Sequence, residues 1–160
     1  MSNSALNKLT VEPGLAIEFL AVFSRLEYAL KVTEFRQERN GEAKADWKRF
    51  ISEVDKAFEP NNNEKLNKAF NFLLETNLNY LCVENKEIKW LPFLIPLESN
   101  QLNYVVLKIK QIRHNLFHGG KFAYDNSSNK NRDKSLLTNA IVLLLAIKSI
   151  NHNVDTAYDI

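Results

Sequence analysis

Arg113, His114 and His118 fall within six consecutive positions, immediately ahead of Gly119-Gly120-Lys121. A guanidinium is planar and permanently charged, which suits it to a phosphate or to the charge that develops on one during displacement. Imidazole is the side chain that exchanges protons near neutral pH. Together they could cut RNA without a metal. An imidazole takes the proton of a ribose 2′-hydroxyl, that oxygen attacks the adjacent phosphate, and Arg113 with Lys121 neutralises the phosphorane. DNA lacks that hydroxyl, so RNA is the implied substrate.

The same residues allow other readings. His114 and His118 are four apart, so on a continuous helix they share a face at the spacing of paired metal ligands. A hydrolytic zinc helix has glutamate after its first histidine and a third ligand, whereas here Asn115 comes next and no distal ligand stands out. No metal or other cofactor is therefore expected. Alternatively, Arg113 and His118 only cap a helix and bind its terminal carbonyls.

Elsewhere the chain has no GxxxxGK[ST] phosphate loop, GxSxG elbow or HExxH zinc helix. His152 reads as solvated, Arg25 and Glu27 as paired surface charges that could also support a site, and Tyr124 as an aromatic that anchors a loop or stacks on a base. Trp47 reads as core.

Helical spacing must supply the scaffold. The first stretch runs from Leu15 to about Arg39, with Phe19, Val22, Phe23, Leu26, Ala29 and Leu30 on one face, and Asn40-Gly41 stops it. A second spans Ala43 to Phe58 and ends at Pro60-Asn61-Asn62-Asn63, and a third spans Glu64 to about Thr76. Residues 79–96 lose the helical rhythm. Tyr80 to Val83 and Ile88 to Leu91 around Glu84-Asn85-Lys86-Glu87 suit a short hairpin, while Pro92 and Pro96 argue for irregular chain.

The fourth helix starts near Ser99 as N-cap and turns Leu102, Val105, Ile109, Ile112 and Leu116 inward. Gly119-Gly120 should end it, since glycine readily takes the left-handed conformation after a last turn. In that last turn Arg113 and His118 diverge by about 140° on an ideal helix, so unwinding before the glycines would bring them together. Residues 124–131 read as a polar surface loop. A fifth helix, Asp133 to Asn151, is apolar nearly all round and so must be central or shared with a second subunit. The expected fold is one all-α domain over residues 1–160, an antiparallel four- to five-helix bundle with a short irregular or hairpin insertion around 79–96.

Composition fits a globular domain, with 45% hydrophobic and 25% charged residues. Cys82 is the single cysteine, so no intramolecular disulfide forms. The run Leu15 to Phe23 contains Glu18 and lacks a cleavage site after it, and Ala140 to Ile147 is too short to cross a bilayer. A cytoplasmic protein without membrane contact is expected. The net charge of +2 is uneven, because Lys108 to Lys134 carries seven cations against two carboxylates, a local +5. That suits a polyanion partner.

Arg113, a polar residue directly after it, and His118 together resemble the signature of the HEPN superfamily, and LFHGGK is similar to the stretch downstream of that arginine in several bacterial members. Placement at the end of an amphipathic helix strengthens the likeness. The resemblance implies an all-α, metal-independent endoribonuclease, with Arg113 and His118 catalytic and His114 and Asn115 accessory. Lys110 and Lys121 would contact RNA phosphates. It also implies a homodimer whose two motifs meet in one composite site, and a role as a toxin with a cognate antitoxin or as an effector of phage defence. Many members have asparagine where His114 stands, so His114 serves in positioning or as a second proton carrier. The alternative is a non-catalytic HEPN-like module that binds RNA, a nucleotide or a partner.

Overall fold

The computed structural model describes residues 8–95, 100–118 and 127–160. Among these, six α-helices and two small antiparallel sheets occur in the order α1 (Pro13–Lys31), β1 (Arg36–Arg39), β2 (Glu42–Ala45), α2 (Trp47–Val54), α3 (Glu64–Glu75), β3 (Asn79–Glu84), β4 (Glu87–Pro92), α4 (Gln101–Phe117), α5 (Ser127–Lys148) and α6 (His152–Asp159). Short 3₁₀ turns at Asp55–Ala57 and Pro60–Asn62 link α2 to α3. The chain is thus mostly helical, but it is not a bundle of helices with one insertion, because it carries two hairpins.

The first hairpin overturns the expected long first helix. Thr33 Oγ1 donates to the carbonyls of Ala29, at 2.9 Å, and Leu30, at 3.3 Å, so a side chain serves the terminal acceptors and α1 stops at Lys31. Asn40 (φ 55°) and Gly41 (φ 78°) are both left-handed, the pattern of a two-residue primed turn, and they reverse the chain instead of ending a helix. Arg36 pairs with Ala45 and Arg39 with Glu42. Residues 43–45 therefore belong to β2, and α2 begins only after Asp46, whose Oδ1 accepts the Arg49 N–H at 3.0 Å.

The second hairpin matches one of the two readings of residues 79–96. Leu81 pairs with Trp90 and Val83 with Ile88, around a turn in which Asn85 (φ 54°) and Lys86 (φ 67°) are left-handed. Pro92 takes the last position of β4, opposite Asn79, where a missing N–H is tolerated.

α3 keeps its expected span almost to the residue, and Asn63 caps it by accepting the Leu66 N–H at 3.0 Å. In α4 all five expected core positions are buried. Its cap is Asn100, whose Oδ1 accepts the Asn103 N–H at 2.7 Å, while Ser99 lies outside the described residues. α5 starts at Ser127, so residues 127–131 are helical rather than loop, and it ends at Lys148. Beyond it lies a sixth helix that the spacing did not announce, capped by Asn151 and burying Val154 and Ala157.

α5 packs against α1, α3, α4 and α6. Leu136, Leu143, Leu144 and Ile147 are almost fully inaccessible within this one chain, and only Leu145 among its large apolar residues is exposed. The all-round apolar character of α5 is satisfied internally, which removes it as an independent reason for a dimer. Among the described residues no single helix is long and apolar enough to cross a membrane.

Candidate active site

The expected site residues sit on the last turns of α4, and α4 is anchored on two sides by polar contacts. Lys108, 3% exposed, sends Nζ to the carbonyls of Leu73 (2.9 Å), Leu74 (2.7 Å) and Thr76 (2.8 Å). Those acceptors end α3, so the ammonium serves as its C-terminal cap and meets the negative end of the helix dipole. Burial holds the Lys108 pKa below the ordinary lysine value. One of the seven cations counted in the basic segment is therefore internal. Arg132 is also committed, donating to the Asn77 carbonyl.

Asn115 provides the second anchor. It is 7% exposed, donates from Nδ2 to the Asn79 carbonyl at 2.8 Å, and accepts from Gln111 Nε2 at 2.8 Å. Its amide is thus engaged in joining α4 to β3. This link lies one position from His114.

Arg113 lies between rings. Its guanidinium carbon is 5.5 Å from the Phe23 centroid and 5.6 Å from that of Phe117, distances at which a cation is held by aromatic faces. Neither aromatic was anticipated as a support for Arg113. Phe117 is four residues on, so helical spacing could have suggested it, whereas Phe23 comes from α1 and has no local signal. Arg113 Nε is buried without a hydrogen-bond partner. A buried donor left unpaired is costly, and an anion at this position would relieve it.

His114 and His118 are neighbours, with ring centroids 4.3 Å apart and planes inclined by 38°. Both are exposed. The expected unwinding of the last turn does not occur within the described residues. α4 is regular through Phe117, and the His118 N–H still donates to the His114 carbonyl at 3.0 Å. His118 is consequently set against His114, and His114 stands between it and Arg113 in sequence. Gly119, Gly120, Lys121 and Tyr124 lie outside the described residues.

A cleft of about 450 Å³ opens beside this turn, lined in part by Arg113, His114 and Lys110 from α4, Glu27 from α1, and Lys44 and Trp47 from β2 and α2. Lys110 is exposed there, as a phosphate contact needs. Glu27, read as a paired surface charge that could also support a site, lines the cleft while pairing with Lys31 at 3.2 Å. Arg25 goes elsewhere, donating to the Tyr158 carbonyl at 2.7 Å, and His152 begins α6. Among the described residues no group of three or more His, Cys, Asp or Glu is arranged to hold a metal ion.

The chain matches no family model, no curated protein and no solved structure.

Proposed function

We propose that the protein is an HEPN-type endoribonuclease that cleaves RNA by attack of its own 2′-hydroxyl. The observation that carries this reading is the grouping at the end of α4. Two exposed imidazoles lie 4.3 Å apart, next to an arginine whose buried Nε has no partner.

In the proposed reaction His118 takes the 2′-hydroxyl proton and the oxygen attacks the adjacent phosphorus. Arg113 neutralises the pentacovalent phosphorane, with Lys110 as a further cation. The bond to the 5′-oxygen then breaks, and a protonated imidazole, His114 or the partner copy's histidine, supplies its proton. The products are a 2′,3′-cyclic phosphate and a 5′-hydroxyl. Exposure of both imidazoles leaves room for a second copy of the motif, so a composite homodimeric site belongs to the proposal. Cleavage of cellular RNA would arrest growth, as for a toxin restrained by an antitoxin or an effector against phage.

Purified protein with EDTA should leave cyclic-phosphate ends on single-stranded RNA, and Arg113→Ala and His118→Ala should not. Intact RNA, or 3′-hydroxyl ends, would overturn the reading. A non-catalytic nucleotide-binding module is the second reading. It is favoured by the cleft, which takes in Arg113 and His114 without His118, and it predicts RNA binding that survives His118→Ala.

A further inference from the structure

The cleft beside Arg113 has features that a bare phosphate site does not need. Its volume, about 450 Å³, lies within the range of pockets that hold small organic ligands. Part of its wall is aromatic, formed by Phe23, Trp47 and Phe93. Phe23 and Trp47 stack on each other with centroids 5.3 Å apart, so this wall is rigid. Phe93 is half-buried, and its backbone is fixed by an N–H to the Leu78 carbonyl at 2.8 Å.

Polar groups of two kinds complete the lining. Lys110 and Arg113 offer cations, and Arg113 also carries a buried Nε without a hydrogen-bond partner. Gln111, which also donates to Asn115, and Glu27, which also pairs with Lys31, offer an amide and a carboxylate, groups that read the hydrogen-bonding edge of a base. A second hollow, about 280 Å³, shares Phe93 and Gln111 and adds Tyr80. Phe93 therefore stands between two openings, an aromatic partition of the kind on which successive bases stack.

We propose that this cleft binds one unpaired nucleotide of an RNA strand, its base against Phe93 and its phosphate on Arg113 and Lys110, with Gln111 and Glu27 selecting the base. In a duplex the faces and pairing edges of bases are occupied, so the substrate class is single-stranded RNA. That the strand is RNA, and that it is cleaved, rest on the ribonuclease reading, but the binding of an unpaired nucleotide stands apart from it.

The two can be separated with uncleavable 2′-O-methyl hexanucleotides of each single base, titrated into full-length protein. Trp47 lines the cleft and Trp90 does not, so Trp90→Phe protein reports binding through Trp47 fluorescence. Single strands should give a saturable change, with affinities that differ between bases, and a duplex should bind at least about tenfold more weakly. Phe93→Leu, which preserves an apolar side chain, should weaken single-strand binding by roughly tenfold. Gln111→Ala should flatten the ranking of bases. Equal affinity for single and double strands, or unchanged affinity in Phe93→Leu, overturns the cleft. If wild-type protein binds as described yet never cleaves RNA, the cleft stands and the ribonuclease reading falls. If RNA is cleaved with a base preference that Phe93→Leu leaves intact, the reverse holds.

Discussion

His118 lies against His114, centroid to centroid at 4.3 Å, and its N–H is bonded to the His114 carbonyl, so one turn of α4 carries both imidazoles as a unit. Residues that act as a unit lose activity non-additively. His118→Ala and His114→Ala should each lower the RNA cleavage rate by roughly a hundredfold or more, and the double variant should be little worse than the poorer single one. Fully multiplicative losses in single-turnover cleavage would mean that the rings work independently.

Arg113→Lys preserves charge but not the planar fork that lies between Phe23 and Phe117. Cleavage should fall by roughly a hundredfold, as for loss of a transition-state donor, while the melting temperature stays within a few degrees. A lysine variant that retains most of the rate would reduce Arg113 to a diffuse positive charge.

Asn115→Ala removes the bond to the Asn79 carbonyl. Because Asn79 is exposed and water can replace the amide, the cost should be modest, about 1 kcal/mol by urea unfolding. Hydrogen exchange should rise first in β3. Loss of cleavage with no change in stability would instead give Asn115 a direct chemical role.

Lys108→Met should be more damaging, because three carbonyls at the end of α3 lose their donor in a place water does not readily reach. A loss of roughly 3 kcal/mol is expected, read from the urea midpoint. An unchanged midpoint would mean that those acceptors find other partners.

α6 is clamped by Lys148, which bonds Asp155 and lies 3.6 Å from Asp159. The hydrogen bond from Lys148 holds the Asp155 pKa below its ordinary 3.8. For Lys148 burial pulls the pKa down, yet the bond to Asp155 and the two carboxylates outweigh it and leave it above 10.5. The depressed acid stabilises the fold above pH 3.8 and loses that contribution as pH falls through its folded value. The raised base stabilises below pH 10.5 and loses it as pH rises through its own. Asp155→Asn should therefore lower the melting temperature at pH 7 and converge with wild type in strong acid. A gap that persists in strong acid would assign the effect to packing.

Legibility in the sequence depended on where each signal resides. α3 and α4 were legible because their buried positions recur at helical spacing, although α4 is capped by Asn100 where Ser99 was expected. The β3–β4 hairpin was legible in outline because apolar runs flank a polar turn. By contrast Arg36–Arg39 and Glu42–Ala45 are almost wholly exposed and polar, so they carry no alternation, and the Asn-Gly turn between them passed for a helix stop. α6 hid behind polar residues that bury only Val154 and Ala157. At the candidate site Arg113, His114 and His118 form a local cluster and could be read directly. Phe23 beside Arg113, the carbonyls around Lys108 and the wall at Phe93 arise only when distant elements pack, and no local spacing encodes them.

The Asn40-Gly41 turn also has a chemical lifetime. Glycine, with no Cβ to hinder its backbone nitrogen, leaves the preceding asparagine open to cyclisation and rearrangement to isoaspartate, which inserts a methylene into the main chain. Both residues are exposed, and both must keep left-handed angles for β1 and β2 to pair. β2 delivers Lys44 and Ala45 to the cleft. Ageing of stored protein at this one peptide bond would therefore register first as a change in the cleft, while the helical core remained folded.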